Sequence, residues 1–526
     1  MNTSQDQVLE LSRQLRFAWP AFFTRFGQLN PVQIATIPAV LAGKNVVVAS
    51  PTASGKTEAI VAPVAERAVT ERWDGLSVLY IVPTRALAND TLIRLQGPLE
   101  EMGLSTRLKH GDHPTLPVSL PNVLITTPES LDSLICRKTQ AMSNIRVVIL
   151  DEIHLLDGTA RGDQLRVLLN RLRRINKHQP FAVHLLSATL SNPHDVAQRY
   201  TDRFEVVTAG HNRSIEAFYV SSVEELYQLA RARQVKKLLC FCNMRESVEE
   251  MATTLTELWR PYPVVAHHGS LAKRIREEAE QVMREAPVAV CVATSTLEIG
   301  IDIGSIDLIA LLEPPWSVMS LLQRIGRGNR RDKCTRVALL VKTQDEQVVM
   351  ENMIDITSSG ALPDEPYETD TGVVVQQIFS ILFQHPDGAS EALVSDLLLP
   401  LCSAAECQLI LLHLQATEWI EQHANKWYPT TRLMDLGDQG KIHSNIPDTQ
   451  MYTVFDTDSG REVGRIAGSF DEVFLLGHRS WRVISVSGVI IKAKRFHGAA
   501  SSAMFQRSRN QSPFCMHLPK ELKRAT

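Results

Sequence analysis

Two α/β domains with parallel sheets, then a winged helix, then a small β-rich domain: this is the architecture the sequence predicts. Three observations carry the prediction. Short apolar or β-branched runs alternate with helical stretches from Pro31 onward, and the same alternation restarts near residue 209. A phosphate-type loop at 50–57 opens the first series and has no counterpart in the second. The chain then changes character twice, first to helices followed by a hairpin-like pair of runs, and then to short β runs separated by glycine turns.

The first series runs Val46 to Ala49, Ser77 to Val82, Val123 to Thr126, Arg146 to Leu150 and Phe181 to Leu186. Runs so continuously apolar suit strands covered by helices on both faces, and ligands in such sheets bind at the carboxyl ends of the strands. Those ends carry Ser50-Pro51-Thr52-Ala53-Ser54-Gly55-Lys56-Thr57, Pro83-Thr84-Arg85, Thr127-Pro128-Glu129, Asp151-Glu152-Ile153-His154 and Ser187-Ala188-Thr189.

The first of these is a strand, loop and helix N-terminus in sequence. Its backbone N–H groups, with Ser54 and Gly55, are expected to cradle the phosphates of a nucleotide; Lys56 is expected to reach the β/γ oxygens, and the Thr57 hydroxyl to hold Mg²⁺. Ser50 and Ala53 stand where related loops carry glycine. At the end of Val147-Val148-Ile149-Leu150, a paired acid divides two tasks: Asp151 holds Mg²⁺ through its waters, and Glu152 orients and deprotonates the attacking water. The bland reading of that pair is a cap on the helix that follows. His154, one step further out, is placed to relay between the nucleotide and Ser187-Ala188-Thr189.

After the turn-like Ala209-Gly210-His211-Asn212 come runs at Lys237 to Phe241, Val264 to Ala266, Val288 to Ala293, Leu308 to Leu312 and Thr335 to Val341. The helical stretch Gln323 to Arg330 gathers guanidinium groups so that Arg327 and Arg330 share a face. They are expected to act as arginine fingers on a phosphoryl group held by the first domain, with a solvated basic helix as the bland alternative. An acidic segment with Gly360, Pro363 and Pro366, Asp345 to Thr371, reads as a linker. Helical stretches follow at Val373 to Gln384, Ser390 to Leu398 and Ser403 to Ala416. Two runs around a polar turn, Trp419 to Tyr428, complete a winged helix, or otherwise a generic helical module. Last come β runs at Tyr452 to Phe455, Val473 to Leu476, Trp481 to Ser485 and Val489 to Lys492. The domain boundaries expected are 1–208, 209–360, 361–435 and 436–526.

The bulk numbers fit several domains of an ordinary globular chain: 526 residues, 44% hydrophobic, 21% charged and a net charge of −3. No apolar run reaches the ~18 residues of a membrane span, so no membrane partner is expected, and no signal peptide is read before Gln33. The eight cysteines include no Cys-x-x-Cys pair and read as core thiols of a cytoplasmic protein rather than zinc or iron–sulfur ligands. Charge is uneven. His478 to Thr526 holds ten Lys and Arg against one acid, and Arg166, Arg171, Arg173, Arg174 and Lys177 form a second cluster. Each reads either as a phosphate-contacting surface or as a solvated one.

In this order, the phosphate loop, Pro83-Thr84-Arg85-Ala86-Leu87-Ala88, Thr127-Pro128-Glu129, Asp151 to His154, Ser187-Ala188-Thr189, Ala293 to Asp302 and Gln323 to Arg330 resemble the motifs of superfamily 2 helicases. Within them, Ala266-His267-His268-Gly269-Ser270-Leu271, Glu298-Ile299-Gly300-Ile301-Asp302, Gly111-Asp112 and Phe474 to Val483 resemble the Lhr (large helicase-related) type. The resemblance implies two RecA-like domains, a winged helix and a further domain. It implies an ATP-dependent motor that moves 3′ to 5′ on single-stranded DNA and unwinds DNA duplexes or RNA:DNA hybrids, in repair or in defence against foreign DNA. Gln33 would then read adenine; Arg85, Thr127 and Thr294 would contact strand phosphates; Gly300, Asp302 and Gln323 would touch the nucleotide or its water. Lhr-type cores are longer, so a shortened C-terminal region is expected, which leaves duplex unwinding open. An RNA helicase or remodeller, and an ATP-gated nucleic-acid clamp with little unwinding, are the alternatives. Protein partners are not legible.

Overall fold

The computed structural model describes residues 2–24, 27–51, 54–113, 115–116, 119–177, 180–188, 190–208, 214–298, 303–328, 334–359, 367–446, 451–467, 472–477, 479–496, 501–502 and 512–523. The expected turn at 209–212 lies outside them, as do Thr52, Ala53, Thr189, Gly300, Asp302, Arg330 and His478. The chain forms two compact units, residues 1–210 with 364–447 and 509–526, and residues 211–363 with 448–508. No described helix is long and apolar enough to cross a membrane.

In the first unit, β1 (Asn45–Ala49), β2 (Val78–Ile81), β3 (Thr106–Lys109), β4 (Val123–Thr126), β5 (Val147–Leu150), β6 (Ala182–Ser187) and β7 (Phe204–Thr208) form one sheet in the order β3-β4-β2-β5-β6-β1-β7. Every pairing is parallel. Each residue of β2, β4 and β5 is buried, which is why those runs are apolar without alternation. The order places the ends of β5, β6 and β1 side by side, and with them Asp151, Ser187 and the phosphate loop. The ends of β2 and β4 bring Arg85 and Thr127 together in the same way.

Packed in the same unit on helices Pro128–Arg137 and Ala160–Ile175, which cover this sheet, are helices Gly372–Gln384, Glu391–Leu398 and Ala404–Ala416. A small antiparallel sheet accompanies them, β14 (Ala389–Ser390), β15 (Ile420–His423) and β16 (Lys426–Pro429), in the order β14-β16-β15. Ala424 and Asn425, both at positive φ (46° and 63°), make the two-residue turn between β15 and β16. Ser403 and Glu406 form a capping box that starts the third helix.

The second unit has its own parallel sheet, β8 (Ser214–Val220), β9 (Lys237–Phe241), β10 (Val264–His267), β11 (Ala289–Ala293), β12 (Leu308–Leu311) and β13 (Cys334–Leu340), in the order β10-β11-β9-β12-β13-β8. Against it lies a mixed sheet of β17 (Met451–Asp456), β18 (Glu462–Ala467), β19 (Val473–Leu476), β20 (Arg479–Ser487), β21 (Ile490–Phe496) and β22 (Ser501–Ser502). Phe474, Leu476, Trp481 and Ile491 share a core with Val248, Leu255 and Leu271. Buried Glu249 Oε1 accepts hydrogen bonds from His268 Nε2 and from the Gly477 amide, each at 2.7 Å. Gly464 must be glycine, because a Cβ there would stand 2.5 Å from the Ser270 carbonyl oxygen.

Three expectations change. The acidic segment read as a linker is helical over Gln344–Ser359, because Met350 and Ile354, one turn apart, are buried in the second unit's core. The stretch 436–526 serves both units. Ser512 Oγ donates to Asn445 Oδ1 at 2.6 Å, and Phe514 meets Phe379 edge-on at 5.9 Å inside the helical module, while β17–β22 stay with the second sheet. Finally, Arg166, Arg171, Arg173 and Arg174 do not form a phosphate-contacting patch. Their guanidinium groups are spent on protein partners: the Pro400 carbonyl, Asp132, the Tyr200 carbonyl and Asp396, respectively.

Candidate ATP and nucleic-acid sites

The phosphate loop leaves β1 and enters helix Lys56–Thr70 through Gly55, which is left-handed at φ 84°. A Cβ on Gly55 would lie 2.5 Å from Gln33 Nε2, so glycine is required here. Ser50 avoids positive φ, so a side chain is tolerated where related loops carry glycine. Lys56 is buried, with Nζ donating to the Ser50 carbonyl at 2.7 Å. Ser54 Oγ is buried and has no hydrogen-bond partner among the described residues. An unpartnered hydroxyl and a buried ammonium in one loop suit a phosphate better than an apolar or cationic occupant. Gln33 is the N3 residue of a capping box: its Oε1 accepts from the Asn30 amide at 2.9 Å, and its Nε2 donates to the Gly55 carbonyl at 3.4 Å.

Beside the loop, Asp151 is buried, accepting from the Glu152 amide at 2.9 Å and from the Tyr80 hydroxyl at 2.6 Å. Burial and the adjoining Glu152 carboxylate push Asp151 above the usual carboxylate range, against Tyr80, Arg94 and Lys56. Glu152 is held at φ 45°, a conformation that costs a side-chain-bearing residue roughly 1–3 kcal/mol and concentrates at functional sites. His154 Nδ1 lies 2.9 Å from Ser187 Oγ and 3.5 Å from Glu152 Oε2. Burial, and secondarily Lys56, hold this ring below the usual histidine range in spite of Glu152. Thr57 Oγ1 accepts from Arg94 Nη2 at 2.8 Å. Asp151 and Thr57 supply the hard oxygens Mg²⁺ prefers, and a carboxylate with two hydrogen bonds retains acceptor capacity.

Arg85 and Thr127 come together in a groove of about 450 Å³ that Lys109, His110 and Arg161 also line. Arg85 is exposed and paired with Asp112 at 2.7 Å. It lies so close to Gly111 that any Cβ there would meet the guanidinium at 2.4 Å. Thr127 is buried and precedes helix Pro128–Arg137.

In the second unit, Thr294 is buried at the end of β11, its amide donating to the His267 carbonyl at 3.2 Å. The helix expected over Gln323 to Arg330 is instead Val318–Ile325, ended by Gly326, so buried Arg327 lies beyond it and not on a helix face, directing Nη2 to the Glu298 carbonyl at 2.7 Å, while Gln323 is buried on the helix. Gly300, Asp302 and Arg330 lie outside the described residues. The sequence did not single out Tyr80, Arg94 or the buried Arg324–Glu298 pair at 2.6 Å. Tyr80 reaches Asp151 only because β2 pairs with β5, a neighbour relation that chain order does not reveal.

Residues 30–196 match the DEAD/DEAH box helicase family, and 221–332 match the helicase conserved C-terminal domain. The ATP-dependent helicase Lhr-Core of Sulfolobus acidocaldarius is 31% identical over 66% of this chain and 44% of its own length. That of Saccharolobus solfataricus is 28% identical over 93% of this chain and 63% of its own. The chain thus spans about half the length of such curated relatives. Among solved structures, Mycobacterium smegmatis helicase Lhr bound to ssDNA and AMP-PNP superposes with a TM-score of 0.70, at 24% identity, over 82% of this chain and 62% of that one. The DUF1998 helicase MrfA bound to DNA gives 0.74, at 19% identity, over 92% and 69%. These two share the fold. Taken with the ordered motifs and the relatives, the two parallel sheets establish that the chain belongs to the superfamily 2 helicases of the Lhr type.

Proposed function

We propose that this chain is an ATP-dependent nucleic-acid motor that moves 3′ to 5′ on single-stranded DNA and opens DNA duplexes or RNA:DNA hybrids. The observation that carries the reading is the sharing of one sheet by two sites. The phosphate loop, Asp151, Glu152 and His154 lie at the ends of β1 and β5, and the Arg85–Thr127 groove lies at the ends of β2 and β4. The Lhr and MrfA structures to which the fold is similar hold DNA, which supports that partner.

ATP supplies the phosphoryl group whose transfer to water drives the motor, with Mg²⁺ neutralising its phosphates. Lys56, Ser54 and the Gly55 backbone would hold the phosphates, Gln33 the base, and Thr57 and Asp151 the ion. Glu152 orients the attacking water and takes its proton; neutral His154 hands the state of that site to Ser187 through their hydrogen bond. Gly300, Asp302, Gln323, Arg327 and Arg330 keep the nucleotide roles expected of them, as Thr294 keeps its strand contact. The helical module, ordered helix, short strand, two helices and two-stranded hairpin, is a winged helix in this reading, and repair or defence against foreign DNA its setting. None of the eight cysteines is in a disulfide, which suits the reducing cytoplasm. The test is a pair of variants: Lys56→Ala and Glu152→Gln should each lose at least ~10²-fold in DNA-stimulated hydrolysis while binding single-stranded DNA normally. An active Glu152→Gln protein would remove Glu152 as the base.

A further inference from the structure

Helix Arg85–Glu101 begins at the strand groove and passes the phosphate loop. Its first residue, Arg85, lines the groove. Nine residues on, roughly 13 Å along the axis, Arg94 donates Nη2 to Thr57 Oγ1 at 2.8 Å. A guanidinium therefore holds the oxygen that a divalent cation would need. The negative charges of Glu58, Asp90 and Asp151 all act on it. The Arg94 side chain is 41% exposed, and its Nε lies 3.8 Å from Asp90 Oδ2 on the same helix. It has both solvent to move into and a second acid to close upon.

We propose that Arg94 is a positioning residue that keeps the Thr57 hydroxyl occupied until Mg²⁺ and nucleotide bind, and that couples its release to strand binding because it rides on the helix that carries Arg85. The proposal rests on the reading of Thr57 as the Mg²⁺ ligand. A divalent cation on Thr57 repels a guanidinium at hydrogen-bonding distance, so one must leave when the other arrives. If the strand draws Arg85 and its helix toward the groove, nucleotide binding and strand binding favour each other reciprocally.

The test is binding of fluorescent mant-ADP to the full chain across a Mg²⁺ titration, with and without single-stranded oligothymidylate. Arg94→Met should lower the Mg²⁺ needed for half-saturation by about three- to ten-fold, while Arg94→Lys stays near wild type. Oligothymidylate should lower the half-point in wild type and add nothing in Arg94→Met. A residue that only stabilised the helix would shift melting and leave the Mg²⁺ half-point alone. Mg²⁺-dependent binding by wild type with an unchanged half-point in Arg94→Met overturns the proposal and spares the site. A wild-type half-point indifferent to oligothymidylate overturns the coupling. No mant-ADP binding by wild type at any Mg²⁺ overturns the reading of the site itself.

Discussion

His184 in β6 is wholly buried, and neither ring nitrogen has a hydrogen-bond partner among the described residues. Burial, with a smaller push from Arg67, lowers its pKa to about 3. The folded protein thus keeps the ring neutral while the unfolded chain protonates near the ordinary value of ~6.5. The resulting penalty on stability is absent above that pH and grows as pH falls toward 3. His184→Leu should therefore gain on wild type by about 2 kcal/mol between pH 7.5 and pH 5, as read by urea unfolding at both values; a constant difference would mean that the ring titrates normally. Lys56, Asp151, Glu152, His154, Arg85 and Thr127 are legible in the sequence because each sits in a local motif that follows a strand. Arg94 and Tyr80 are not, since their contacts with Thr57 and Asp151 depend on which strands and helices are neighbours in space.

The joint between the helices Pro128–Arg137 and Ala160–Ile175 of the first α/β domain and the helical module is an ionic and amide network with no counterpart in a simple apolar interface. Asp132 and Arg171, both fully buried, pair at 2.9 Å. Gln164, Gln376 and Gln377 also donate to Asp132 through Nε2, at 3.1, 2.8 and 3.2 Å. Burial alone would raise the Asp132 pKa, but His443, Arg171 and Ser380 outweigh it and hold the carboxyl well below its usual range. Arg171→Met, which leaves that charge uncompensated, should cost about 3–5 kcal/mol. Asp132→Leu in the same chain should restore most of it, and thermal melting of the single and double variants decides the point. The network explains why helix Gly372–Gln384 places Gln376, Gln377 and Ser380 among buried apolar residues, a pattern legible as a helix but not as an interface. The strands of the two parallel sheets that are absent from the sequence reading follow a rule. β3 and β7 are the two edges of the first sheet and β8 is an edge of the second. With mixed exposure, they lack the continuous apolar runs by which the central strands were found.

For the whole molecule, removal of 451–526 is not a clean test of strand affinity. It would strip Phe474, Trp481 and Ile491 from the second unit's core and Phe514 and Leu518 from the helical module. Such a truncation should aggregate or melt early rather than merely bind less tightly, a result that light scattering would show. The basic charge is better tested in place. Arg482 and Lys494 face one another across β20 and β21, with Lys492 exposed on the same strand as Lys494. Lys494 Nζ lies 3.5 Å from Asp458 Oδ1 and Arg482 stacks over the Phe496 ring, which offsets part of the repulsion between these like charges and leaves both exposed to a strand phosphate. Arg482→Gln with Lys494→Gln should lower the steepness of log Kd against log salt for single-stranded DNA by one to two units, to be read by fluorescence anisotropy at several salt concentrations. An unchanged slope would make this face a solvated one.

The claim on which all of this depends is that a strand bound at the end of the first sheet controls ATP turnover on that sheet. It is tested most directly by measuring ATP hydrolysis by the purified chain alone, with single-stranded DNA, and with single-stranded RNA of the same sequence at one stated salt concentration. Turnover stimulated at least ~10-fold by DNA, and much less by RNA, is the expected result, given that only about 1.4 kcal/mol of coupling is needed for it. Stimulation by RNA alone would transfer the motor to RNA, and turnover indifferent to both strands would contradict the account.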